Sequence, residues 1–159
     1  MRTICSWTRQ REKRPKLKIL ETLVCRAARA AGLPEETDLS LVFLPDRAMA
    51  ELNESSLNHQ GPTDVICFDL RASEPRMPKG EEFDADVEIY VCPDVARREA
   101  EKRALPYARE VVLYVVHGLL HAAGEDDLVP AKKRRMRRRE KQLLAILEKE
   151  FQFESVFGP

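Results

Sequence analysis

The sequence predicts an α+β fold, a small mixed sheet of about four strands packed with helices around one buried central HxxxH helix. Three observations carry this expectation. Short apolar runs at 39–44, 63–70 and 85–92 read as strands bounded by turn signals. Segments with helical spacing lie between and after them, without a strict strand–helix–strand rhythm over the whole chain. Within 106–123 the run VVLYVVHGLL is apolar all round, as expected of a helix covered on every side. A length of 159 residues suits one domain, 1–159, and no internal repeat or low-complexity linker divides it.

The elements follow in order. Residues 15–32 form a first helix, with Leu17, Leu20, Val24, Ala28 and Ala31 on one stripe, Pro15 in its first turn and Gly32 at its stop. LSLVFL, 39–44, is a strand. Pro45-Asp46 opens a short helix to about Asn53, with Asp46 as its cap. Residues 54–62 form a polar loop ending in Gly61-Pro62. TDVICFDL, 63–70, is a strand with Val65, Cys67 and Asp69 on one face and Ile66, Phe68 and Leu70 on the other. A Pro/Gly/acid-rich loop fills 71–84, and ADVEIYVC, 85–92, is the next strand. Pro93-Asp94 starts a helix to about Arg103. The central helix opens at Pro106 and closes at Gly124. A last helix spans about 130–150, burying Met136, Leu143, Leu144 and Leu147 while its basic residues point elsewhere.

Lys+Arg and Asp+Glu are both 27, so the net charge is zero, but the charge is segregated. Residues 1–18 carry Arg2, Arg9, Arg11, Lys13, Arg14, Lys16 and Lys18 against Glu12 alone. KKRRMRRREK, 132–141, has Glu140 as its only acid, while Glu81, Glu82, Asp84, Asp86 and Glu88 cluster in the middle. Such segregation permits a polyanion partner; an exposed charge run is also often simply solvated. Cys5, Cys25, Cys67 and Cys92 form no CxxC pair and read as buried free thiols of a reducing cytoplasm. No apolar run approaches the ~20 residues needed to cross a bilayer, so no membrane partner is expected. The N-terminus lacks the apolar stretch of a signal peptide and has only a weak likeness to a transit peptide, which leaves the cytoplasm as the expected location.

HGLLHAAGEDD, 117–127, carries the chemistry. On a helix, His117 and His121 share one face and can present two imidazoles to one metal ion. Gly118 between them has no side chain to crowd such a site. Gly124 ends the helix and reverses the chain, so a residue just beyond can return as a third ligand. Three protein ligands plus water is the usual catalytic zinc arrangement, although nickel and copper also accept imidazole. A single histidine on an apolar face is more often a satisfied core residue. Two at this spacing, followed by glycine and three acids, favour metal, because burying two unpartnered imidazoles costs a few kcal/mol. Position 118 is glycine where a HExxH peptidase needs its glutamate base, which argues against that chemistry.

These residues resemble the HGxLHxxGxxH signature of the YbeY family, metal-dependent single-strand endoribonucleases that serve as rRNA maturation factors. LNESSLNHQGPTDVICFDL, 52–70, resembles the family's LN…PTDVLSF segment. ADVEIYVCPDVARREA, 85–100, resembles its strand-to-helix segment, with alanine at the usual glycine. MRRREKQLLAIL, 136–147, resembles its closing helix. The resemblance implies one zinc ion held by His117 and His121, with the family's third histidine falling on Asp127. Carboxylate is an accepted zinc ligand; it adds negative charge and makes a bound water less acidic. Asp126 and Glu125 compete for that role, and Asp127 also reads as a solvated loop acid. An arginine that many members use toward RNA falls here on Leu57. His59 nearby could contact phosphate or be an ordinary surface residue, and Arg or Lys from 132–139 could supply the missing charge.

The implied function is zinc-dependent endonuclease hydrolysis of single-stranded RNA. It implies maturation of the small-subunit rRNA 3′ end, ribosome quality control, and the small ribosomal subunit as a partner. No side chain is assigned as general acid or base; the reactive group is water on the metal. Thr63 and Asp64 are candidates to support the site from behind the ligands, or for a structural role. The rival from another class is a ribosome-associated RNA-binding factor with a structural metal, closed by a fourth ligand such as His59 or Cys92. A third is a metallohydrolase acting on something other than RNA.

Overall fold

A computed structural model describes residues 1–71 and 83–159. Ten elements follow in chain order: β1 (Thr3–Trp7), α1 (Leu17–Ala31), β2 (Leu39–Phe43), α2 (Asp46–Leu57), β3 (Val65–Asp69), β4 (Val87–Val91), α3 (Pro93–Arg103), α4 (Tyr107–Ala122), α5 (Pro130–Glu150) and α6 (Phe153–Phe157). The four strands form one sheet in the order β1-β2-β4-β3. β1, β2 and β4 run parallel, and β3 returns antiparallel to β4 at the edge. This is the α+β class with a small mixed sheet.

Alternation sets the sheet's two faces. Leu39, Leu41 and Phe43 of β2 are fully buried, and they sit in register with Val87, Ile89 and Val91 of β4. Val65 and Cys67 of β3 extend that row toward the edge. The main core lies between this face and α1, α4 and α6. The opposite face carries a smaller cluster, Met49, Ile66 and Cys92, with Phe68 and Tyr90 against it. The division of β3 expected from its alternation therefore holds. α4 is the central buried helix: it contacts α1, α3, α5, α6, β3 and β4.

Several expectations need correction. Thr3–Trp7 is a strand, although its polar surroundings gave no strand signal. It is fixed by pairing with β2 and by Arg2, whose guanidinium donates to Asp38 at 2.7 Å. α1 begins at Leu17, so Pro15 precedes the helix instead of filling its first turn. α2 continues to Leu57, four residues beyond Asn53, and stops where Asn58 takes a left-handed backbone with φ 55°. Asp46 is not the cap: it is the first helical residue, and its carboxylate is held by Arg98 at 2.6 and 2.8 Å. The Asp46 N–H donates instead to Asp94 at the start of α3, 3.0 Å away. α6 was not anticipated; it folds back to bury Phe153, Val156 and Phe157. The loop expected at 71–84 lies mostly outside the described residues. All four cysteines are free, with Cys5 and Cys92 buried and Cys25 and Cys67 half-buried. Among the described residues no helix is long and apolar enough to cross a membrane.

Candidate metal centre

The site is built on the last two turns of α4 and the chain reversal after it. Gly124 has φ 99°, a backbone that side chains rarely adopt. Its N–H donates to the His121 carbonyl at 3.0 Å, and the Glu125 N–H donates to the Leu120 carbonyl at 2.9 Å. This pair of bonds closes the helix as a Schellman motif and turns the chain back over its end. Asp127 thereby returns to the face that carries His117 and His121.

The imidazoles meet at their Nε2 atoms, 3.0 Å apart. Asp127 places one oxygen 3.9 Å from His117 Nε2 and the other 4.0 Å from His121 Nε2. A tetrahedral zinc with bonds of 2.0–2.2 Å separates its ligand atoms by about 3.3 Å. The three separations straddle that value, and small side-chain rotations would equalise them. Two neutral nitrogens and a carboxylate oxygen form a donor set suited to zinc, so the residues present fit such an ion. His117, His121 and Asp127 are one of two groups of metal-type donors close enough to share an ion among the described residues.

The neighbouring acids are engaged elsewhere. Glu125 accepts from Arg135 at 3.2 Å, and Asp126 accepts from Lys132 at 3.1 Å and from the Leu128 N–H at 3.2 Å. The Lys132 contact is the main reason that the Asp126 carboxyl is held below its usual range.

Sequence reasoning missed Glu140. Its carboxylate lies 2.6 Å from His117 Nδ1 and is only 15% exposed. A carboxylate there keeps the ring proton on Nδ1 and turns the Nε2 lone pair toward the other donors. Burial opposes charging of His117. Burial is the largest single influence, but the Glu140 hydrogen bond and the charges of Glu140, Asp64 and Asp127 together outweigh it, and the pKa is raised above its ordinary value. The available signal was that Glu140 is the only acid in an otherwise basic run.

Gly118 serves a different purpose from the one expected. A Cβ there would lie 2.9 Å from Ile89 Cγ2 and 3.3 Å from Val65 Cγ2, both in the sheet. The glycine lets α4 approach β3 and β4, which seats the histidine face; it does not make room beside the imidazoles.

His117 and Asp127 of this group border a cleft of about 510 Å³. Thr63, Asp64, Glu110, Tyr114, Lys133 and Arg137 line it together with them. Asp64 is fixed in place: its Oδ1 accepts from the Val65 N–H at 2.8 Å and from the Thr63 hydroxyl at 3.2 Å. Glu110, buried at 2% exposure, is paired with Arg103. His59 is exposed in the loop after α2, and Leu57 is 45% exposed at that helix's end. Cys92 belongs with Asp46 and Asp94, a separate group from the histidines.

The family described as Endoribonuclease YbeY matches residues 5–148. An Endoribonuclease YbeY of Salinibacter ruber is 38% identical over 108 residues, 68% of this chain and 69% of that protein. One of Chlorobium luteolum is 31% identical over 133 residues, 82% of this chain and 90% of that protein. One of Frankia casuarinae is 33% identical, and the match spans just over half of it, 56%. The fold is similar to the solution structure of TM1509 from Thermotoga maritima, with a TM-score of 0.62, 23% identity, and coverage of 93% of this chain and 90% of that one. With a family match over most of its length and relatives above 30% identity, the chain belongs to the YbeY endoribonuclease family.

Proposed function

We propose that this chain is a zinc-dependent endoribonuclease that hydrolyses single-stranded RNA, with His117, His121 and Asp127 holding one zinc ion. Residues 1–159 act as one domain. Its setting is the cytoplasm, in maturation of the small-subunit rRNA 3′ end and in ribosome quality control, with the small ribosomal subunit as partner. That setting follows the family resemblance.

One observation carries the reading: three metal-type donors converge, and two of them, His117 and Asp127, line a cleft shared with Lys133 and Arg137. Zinc held there supplies Lewis acidity, lowering the pKa of a water and polarising a phosphoryl oxygen. Glu140 orients His117, and Asp64 adds a fixed negative charge near it. Asp127 offsets part of the cation's charge. Basic side chains lining the cleft hold RNA through phosphate, which carries little base information.

The structural-metal alternative is less well supported. A structural zinc is usually closed by four protein ligands, and this group has three among the described residues.

The test is zinc content together with cleavage of a single-stranded oligoribonucleotide, for the native chain and Asp127→Ala. The native chain should carry one zinc and cleave; the variant should lose cleavage and most of its zinc. Retained zinc in the variant would remove Asp127 from the ligand set. A zinc-loaded native chain that leaves the RNA intact would remove the activity.

A further inference from the structure

We propose that the cleft-facing side of α5, built on Lys133, Arg134 and Arg137, is a track for the RNA phosphate backbone leading outward from the metal group. The inference rests on the RNA-cleaving reading and names the residues that hold the strand.

The basic run of α5 sorts into two sets. Lys132 and Arg135 are tied to Asp126 and Glu125, and Arg139 reaches Gln142 and the Ala30 carbonyl at 3.1 Å. The side chains of Lys133, Arg134 and Arg137, like those of Arg138 and Lys141 farther along, make no hydrogen bond or ion pair among the described residues. Lys133 and Arg137 line the cleft together with His117 and Asp127. The same two cations, now with Arg134, line an adjoining hollow of about 380 Å³ over Leu128, Val129 and Pro130. Asp127 borders both, so the two depressions join at the metal group. Arg103, which also lines the cleft, is already neutralised by Glu110 and Glu99 and is not part of the track.

The arrangement is unfavourable without an anion. The run begins in the first turn of α5, where the helix dipole is positive and no acid is present. Lys133 and Arg137, and Arg134 and Arg138, are like-charge pairs four residues apart, which repel. Neither Lys133, Arg134 nor Arg137 is buried, so packing does not require a cation at these positions. A polyanion seated along them relieves both costs. Lys133 and Arg137 are separated by about 6 Å of helix rise, a stride similar to that between successive phosphates of an extended strand.

Binding is measured on the full metal-free chain in chelator, by fluorescence anisotropy with a labelled single-stranded oligouridylate, across a salt series. Lys133→Ala/Arg137→Ala should weaken binding at least tenfold and flatten the slope of log affinity against log salt by about 1.4, or ~0.7 for each phosphate no longer neutralised. Lys132→Ala/Arg135→Ala should change affinity less than twofold. Thermal melting of both variants checks the fold; relief of the repulsion should leave the first variant as stable as the native chain or more so. An unchanged slope in Lys133→Ala/Arg137→Ala, or equal losses in both variants, would overturn the track. Because binding is read without metal, a native chain that binds on this track but never cleaves would sink the proposed activity alone. A native chain that cleaves while the first variant binds normally would sink the track alone.

Discussion

Replacing Glu140 by glutamine isolates the contribution of the residue that aims His117. The amide keeps the side chain's size but removes the charge facing Nδ1 at 2.6 Å. It also weakens the hydrogen bond, since charge-assisted bonds are roughly twice as strong as neutral ones. Glu140 is 15% exposed, so water screens the change poorly. Loss of a partner behind a metal-bound histidine typically weakens the metal ten- to a hundredfold, about 1.4–2.7 kcal/mol. The expected zinc affinity of Glu140→Gln is therefore ten- to a hundredfold below the native value, measured by competition with a chromophoric chelator near pH 8. The effect has a pH signature. His117 is raised above its ordinary pKa; burial opposes this, but Glu140 first, then Asp64 and Asp127, outweigh it. A raised histidine contributes stability that is fully present below its unfolded pKa, near 6.5. That contribution is lost as pH rises through the folded value. Zinc must displace this proton, so Glu140 penalises binding at low pH while aiding it at high pH. The gap between native and variant should accordingly narrow toward pH 6. Equal affinities near pH 8 would refute the role given to Glu140.

Gly118→Ala should destabilise the chain. Overpacking against Ile89 costs about 1–3 kcal/mol, against a helix-propensity gain of about 1 kcal/mol. Urea unfolding checks this, and a variant more stable by the full propensity gain would contradict the close approach of α4 to the sheet. His117→Ala/His121→Ala should lose bound zinc while helical circular dichroism is largely kept; undiminished zinc would sink the site. Burial pushes the Cys5 and Cys92 thiols up to about 12 and Cys67 up to about 11. Iodoacetamide at pH 8 should therefore leave these three largely unmodified until the chain is unfolded, as followed by mass spectrometry. Rapid modification of all three in the folded chain would contradict their burial.

What the sequence disclosed depended on how local the cause was. The apolar run of α4, its paired histidines and the glycine that ends it act within a few residues of one another, and all were legible. β1 was not, because Thr3–Trp7 becomes a strand only by pairing with a partner some 36 residues away. Gly118 was visible but its reason was misjudged: which side of α4 meets Ile89 is fixed by the sheet, not by the helix's own sequence. Glu140 stayed hidden for the same reason, since it meets His117 only because α5 folds back along α4. The three consecutive acids are the most telling case. Spacing alone left Glu125, Asp126 and Asp127 open, and family resemblance chose the last. The fold adds a physical reason. The basic run on α5 reaches back to neutralise Glu125 and Asp126, while Asp127 keeps its oxygens near both histidines. The charge segregation first visible as a bare count thus sorts three adjacent carboxylates. Two serve as anchors for α5, and the third faces the histidines, where a carboxylate oxygen can complete a three-donor set for a cation.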